Sequence, residues 1–479
     1  MDVRARTRRR AAAALATACL LLGVVAWPAQ AQEKTAETGV GAFLQKTMAG
    51  LRFEEVLDLA PPGSAQARTL AGVVDKEART TADYAKLLAK AEDAKPIVQQ
   101  PQLDVTVLEL DRLGRLLSSG TVLMSPQNPQ GVVVPVDQNF RTDKVRYRQW
   151  DDAGWYTGKG QGSIDIVPGR ENAPIDFMLP YPASVLKLMV NFGVLRLVDK
   201  GEIKLDDTYA YEPTAISSLC GPASSNTIRA YMDASITSSS NPATCALVKL
   251  LHDRKAVDGL NQTFQDLGLE TMQLKNTNPD NGGRWSNPVT MSSLDTAKLL
   301  ALVEGVPGTA WTAPNGKPVT SGGVLSATSR ALFKKMLGEQ GYNDMLSTAN
   351  RCAAGYPAAG IPQRVDSRWV AADGTVTVAG NAFGQDVRPC NQRAQVTFSH
   401  KTGWVNNSGA DAGIVKSLPG KNGRRYIVAA FTNLGTQYVD AARPAAEPGV
   451  WPVSYTEKLA KLGAAIDTYE TARFARPAR

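Results

Sequence analysis

The stretch that most constrains this chain runs from Ser184 to Val198. There Val185, Leu186, Leu188, Met189, Val190, Phe192, Val194, Leu195 and Leu197 place apolar side chains around nearly the whole circumference of a helix. A helix that is apolar on every side has no face to offer water, so other elements must wrap it. Lys187 interrupts the run within its first turn. The fold therefore carries a lysine into an apolar interior, where desolvation disfavours its charged form.

The remainder of the 479 residues must supply the wrapping, and at 43% hydrophobic and 20% charged the chain has an ordinary globular balance, enough for two or three domains. Residues 39–95 predict helix broken at Pro61-Pro62-Gly63, with Thr81 to Ala94 as the second piece. Leu103 to Leu110 alternates apolar and polar side chains, turns at Asp111-Arg112-Leu113-Gly114, and returns over Arg115 to Met124, a β-hairpin. Residues 125–176 are rich in Gly, Pro, Asn, Gln and Asp and read as an insertion of loops and short strands. From residue 185 to about 340 the pattern is helical, including Asn241 to Leu251 and Val289 to Val303, and 352–392 is irregular and framed by cysteines. Gln395 to Ser399, Ala412 to Val415 and Arg425 to Phe431 predict strands, and Tyr455 to Thr471 a closing helix. Strands at both ends around a helical middle imply an α+β fold: an antiparallel sheet built from both chain ends, with flanking helices and a mostly helical lobe over 185–390.

The first residues read as a targeting segment. Arg4, Arg6 and Arg8 to Arg10 precede an apolar run from Ala11 to Ala26, and Ala29-Gln30-Ala31 has the small-x-small form of a signal-peptidase site. We expect residues 1–31 to be removed, 32–100 to form an N-terminal helical segment and 101–479 the main domain, secreted without a stable membrane span. A twin-arginine route through Arg8-Arg9-Arg10 and a lipoprotein anchor at Cys19 are the variants, the latter disfavoured because Cys19 sits inside the apolar run. Without residues 1–31 the chain has 48 Lys and Arg against 44 Asp and Glu, a formal charge of +4. That is too small to indicate nucleic acid as a partner. Four cysteines remain, Cys220, Cys245, Cys352 and Cys390. An even number in an exported chain favours two disulfides, of which sequence allows three pairings; we expect Cys220 with Cys245 and Cys352 with Cys390, four free thiols being the alternative. Only two histidines occur, His252 and His400, and no metal-like spacing surrounds them, so neither a metal, a further cofactor nor a Ser-His-Asp triad is expected.

Three short motifs carry chemistry. In Ser184-Val185-Leu186-Lys187 the serine and lysine are three apart and share one helix face, so a buried amine can take the hydroxyl proton. The helix start adds unpaired N–H groups and a positive dipole end. Ser239-Ser240-Asn241-Pro242 sits where a loop enters a helix, which on its own is also a good N-cap. Lys401-Thr402-Gly403 lies on a strand, where a glycine would let a substrate backbone approach the strand edge.

In this order and context, the set from Leu103 to Tyr469 resembles class A β-lactamases and penicillin-binding proteins. The resemblance implies an acyl-enzyme on Ser184, with Lys187 as the base and Ser239 relaying a proton to the leaving nitrogen. Asn241 would bind the substrate amide and contact Lys187; Lys401 and Thr402 would hold the substrate carboxylate, and Gly403 and Trp404 would complete the substrate-binding strand. Backbone N–H groups of Ser184 and Trp404 would form the oxyanion hole. The implied partner is a β-lactam or a peptidoglycan stem peptide, as substrate or inhibitor. One departure is plain: class A enzymes place a deacylating glutamate within Glu-x-x-Leu-Asn, and residues 275–288 contain none. Asp280 is the sole carboxylate there, in a Pro-Asp-Asn-Gly sequence typical of a turn. Efficient acylation with slow deacylation follows, a DD-peptidase-like reaction; a true β-lactamase and a non-catalytic binding module are the alternatives.

Overall fold

A computed structural model describes residues 39–58, 95–150, 164–285, 288–352, 359–405, 407–435, 438 and 455–476. The targeting segment and the helix expected over Thr81 to Ala94 lie outside these.

The frame is a six-stranded antiparallel sheet. Its N-terminal strands are β1 (Leu103–Leu110), β2 (Leu116–Ser125) and β3 (Asn128–Val133). Two further strands, β4 (Val145–Gln149) and β5 (Ile175–Leu179), pair with each other in parallel outside the sheet. The C-terminal strands are β6 (Val396–Val405), β7 (Ser408–Ser417) and β8 (Arg425–Thr432), and the sheet order is β6-β7-β8-β1-β2-β3. β8 pairs with β1 from Tyr426 opposite Glu109 to Thr432 opposite Leu103, so the two chain ends close the sheet. The expected strands at Gln395 to Ser399 and Ala412 to Val415 are each ten residues long, because the pair zips on through polar Lys401, Thr402 and Asp411. β3 comes from the segment read as an insertion and supplies one of the sheet's two outer strands, β6 being the other.

Side chains alternate across this sheet and build two cores. One face, through Val105, Val107, Phe398 and Val428, packs on α1 (Val40–Leu51) and on the helix spanning Tyr455–Ala475 through Leu44, Met48, Leu462 and Ile466. α1 stops at Leu51, earlier than the break expected at Pro61, because Arg52 turns left-handed with φ of 51° and the chain continues as a 3-10 turn.

The opposite face, through Leu108, Ile414, Ile427 and Ala429, packs on the helical lobe. Its longer helices are α2 (Lys187–Asp199), α3 (Ile228–Thr237), α4 (Asn241–Asp253), α5 (Val257–Asp266), α6 (Ser293–Glu304) and α7 (Ala327–Gly338); the C-terminal helix is then α8. α2 is buried on nearly every side, as its composition demands. Both expected disulfides are present, Cys220–Cys245 and Cys352–Cys390. Among the described residues no helix is long and apolar enough to cross a membrane.

Candidate active site

The three motifs converge where α2 and α4 begin beside β6. A 3-10 turn, Ala183–Leu186, carries Ser184 and feeds directly into α2 at Lys187. Lys187 is fully buried, and its Nζ lies 2.7 Å from Ser184 Oγ, 2.8 Å from the Ser239 carbonyl oxygen, 3.0 Å from Ser239 Oγ and 2.8 Å from Asn241 Oδ1. All four partners are uncharged. Burial, followed by the like charge of Lys401, holds the Lys187 amine well below its ordinary range. A neutral amine has two N–H donors and one lone pair. The Ser239 carbonyl and Asn241 Oδ1 can only accept and take both donors, so the lone pair is left for a hydroxyl, and Ser184 is the nearest.

Lys401 reaches the same serine from the other side, with Nζ 3.0 Å from Ser239 Oγ and 2.7 Å from the Thr402 carbonyl oxygen. Burial pushes it down to about 7, opposed by the Asp411 and Asp344 carboxylates. Ser239 Oγ thus sits between two desolvated amines and can pass a proton from one to the other.

Ser239 holds this position at φ of 57°, and Ala183, just ahead of Ser184, at 48°. Non-glycine residues there cost roughly 1–3 kcal/mol each and persist where the surroundings over-determine them. Ser240, and not Ser239, is the N-cap of α4, accepting from Ala243 N–H, which leaves the Ser239 hydroxyl for the lysines.

Gly403 has a different reason from the one its strand position suggests. A Cβ there would lie 2.5 Å from Ser184 N and 2.9 Å from Val185 N. The close approach is therefore that of the nucleophile's own turn against β6, which brings Ser184 N beside the residue preceding Trp404. The Trp404 ring packs against the core on the far face of the sheet. The Thr402 hydroxyl is 3.3 Å from the Tyr342 carbonyl, off the Lys187 cluster. On β6 itself, buried His400 bonds Asp411 at 2.7 Å through Nδ1 and Asn343 Oδ1 at 2.8 Å through Nε2. His252 is bonded to Thr277 Oγ1. Neither histidine contacts Ser184.

Asp280 is exposed in a turn, its N–H bonded to Asn278 Oδ1 and its carbonyl to Thr214 N–H. It is not among the partners of Lys187. The same loop contributes instead Trp285, whose ring centroid is 5.6 Å from Lys187 Nζ. Sequence reasoning passed over this residue, and no spacing rule relates positions 187 and 285. Among the described residues no cluster of three or more His, Cys, Asp or Glu side chains is arranged to hold a metal.

Residues 179–447, more than half of the chain, match the model of the beta-lactamase enzyme family. No curated protein matches the chain. Similar solved structures include PBP-A, at 18% identity and TM-score 0.41 over 78% of this chain and 92% of that one. They also include the TLA-3 extended-spectrum beta-lactamase, at 14% and 0.40 over 81% and 97%. A beta-lactamase from Sphaerobacter thermophilus follows at 17% and 0.40 over 82% and 98%. The matched segment contains the serine, both lysines and the strand that joins them, and by it this chain belongs to the beta-lactamase enzyme family, as a serine hydrolase of the β-lactamase and penicillin-binding superfamily.

Proposed function

We propose that this protein is exported and acts as a DD-peptidase-like serine enzyme, acylated on Ser184 by D-Ala-D-Ala-like peptides or β-lactams and deacylated slowly. The observation that carries this reading is the Lys187 amine with four uncharged partners, a base with no carboxylate among the described residues to share its proton. In acylation the lone pair of Lys187 takes the Ser184 proton as Oγ attacks the carbonyl carbon. Ser239, 3.0 Å from each lysine, delivers a proton to the leaving nitrogen. Asn241 accepts from Lys187 through Oδ1, leaving Nδ2 for the substrate carbonyl. Lys401 and Thr402 take the substrate carboxylate, the threonine hydroxyl exchanging its long bond to Tyr342. Backbone N–H groups of Ser184 and Trp404 hold the oxyanion.

Slow deacylation is supported by the loop over 275–285, whose one carboxylate, Asp280, faces solvent. Export agrees with two disulfides, which persist in oxidising compartments. The experiment is intact mass spectrometry after adding a penicillin. We expect a long-lived adduct on the wild type and none on Ser184→Ala. Rapid multiple turnover of a chromogenic cephalosporin, abolished in Asp280→Asn, would instead establish a true β-lactamase. A wild type that takes no label would leave a binding module.

A further inference from the structure

We infer that Trp285 keeps water away from Lys187 in the acyl-enzyme, and that the Cys220–Cys245 disulfide holds it in place. This rests on the acyl-enzyme reading above and names what makes that intermediate persist.

Once Ser184 is esterified, hydrolysis needs a base beside an incoming water, and Lys187 is the amine at that position. Its two N–H donors are committed to Ser239 and Asn241. The Trp285 ring, half-buried against the main core, stands 5.6 Å from its Nζ. A ring face stabilises an ammonium but gives water only a weak partner. Water arriving on that side loses hydrogen bonds it had in solvent, so its approach is disfavoured.

The ring cannot easily swing aside. Its Nε1–H donates to the Gly282 carbonyl at 2.8 Å. Asn281 accepts from the Tyr211 hydroxyl at 2.8 Å through its carbonyl, donates to the Ala215 carbonyl at 2.9 Å through Nδ2, and accepts from Gly283 N–H at 2.9 Å. The two glycines then lie flat against the α4 backbone at Cys245 and against the Cys220 sulfur of the disulfide. A Cβ on Gly282 would fall 2.0 Å from the Cys245 carbonyl oxygen, and one on Gly283 would fall 2.7 Å from Cys220 Sγ. Cys245 is on α4, the helix that opens with Asn241, and its bridge to Cys220 forms part of the floor on which the loop bearing the indole packs. Trp285 acts through Lys187 and is a positioning residue.

The test compares acylation with adduct lifetime, both by intact mass with benzylpenicillin, in wild type, Trp285→Ala, Trp285→Leu and Trp285→Phe. We expect acylation within about threefold throughout, since removing the ring leaves the hydrogen bonds of Lys187 intact. Adduct lifetime should fall about tenfold or more in Trp285→Ala, less in Trp285→Leu, and be restored in Trp285→Phe, which keeps a flat apolar cover. Reduction of Cys220–Cys245 in the Cys352→Ser/Cys390→Ser background should shorten the lifetime in the same direction. A merely structural tryptophan would alter acylation and melting temperature together and leave the ratio of the two rates unchanged. An adduct equally long-lived in all four proteins overturns the inference while sparing the acyl-enzyme. Absence of any adduct on the wild type overturns both. Should Trp285→Ala fail to fold, the Leu and Phe pair decides by the same ratio.

Discussion

Two lysines are fully buried on helices of the lobe, Lys187 at the start of α2 and Lys298 midway along α6, and each has an indole beside it. Their surroundings otherwise diverge. Lys298 donates to the Gly268 carbonyl at 2.5 Å and lies 3.8 Å from Asp295, which is itself held by Thr271 N–H and Oγ1. Burial lowers its pKa, but Asp295, Glu270 and Asp137 push back. Among the described residues Lys187 has no carboxylate partner, and the nearby Lys401 pushes in the same direction as burial. Desolvation alone therefore does not make a base. The counter-charge decides whether a buried lysine is a structural cation or a proton acceptor.

Exchanging each lysine for methionine should break this comparison most sharply. Lys187→Met should slow acylation of Ser184 by about a thousandfold, the scale of a lost general base, in stopped-flow labelling with a fluorescent penicillin. Lys298→Met should leave that rate within a few-fold. It should lower unfolding free energy by about 3 kcal/mol in urea titration, because Asp295 stays buried without its cation. Equal loss of acylation in both variants would refute the distinction.

The second lysine of the site gives a smaller, pH-dependent effect. Lys401 is charged below about 7 and neutral above it, so capture of a substrate carboxylate weakens as pH rises through that value. The second-order acylation constant should fall on the alkaline side by about tenfold per pH unit beyond that point, since it reports the free enzyme. Lys401→Arg, which stays protonated, should lack this limb even if its absolute rate is lower. The smallest effect is one of stability: Ser239→Gly relieves the left-handed backbone and should raise unfolding free energy by about 1 kcal/mol while acylation falls. A variant that loses acylation without gaining stability would show that φ of 57° is not strained here.

Much of this was legible in the sequence because it depends on local spacing. The stretch from Ser184 to Val198 is apolar on nearly every side, and residues three apart in a helical turn share a face, which put Ser184 with Lys187 even though the serine's turn is 3-10 and α2 begins at the lysine. Alternation and turn residues marked the β1–β2 hairpin and the C-terminal strands, and their placement at both chain ends implied a shared sheet. Strand ends were less legible, since β6 and β7 stay paired through polar residues that break the apolar pattern. Gly403 was found for a reason the structure replaces: the room it makes is filled by Ser184 N.

The sequence by itself thus determined the chemistry on offer: a serine and a lysine one helical turn apart, a serine-asparagine pair at a helix entrance, and a lysine on a late strand. Only the tertiary structure decided how that chemistry is poised. Lys187 meets Ser239 across 52 positions and Ser239 meets Lys401 across 162. Contacts over such separations are set by the packing of the helical lobe on the sheet, not by any local period. The same packing places Trp285 beside the amine, and no carboxylate among the described residues, because the loop that carries the indole lies clamped on Cys220 and Cys245.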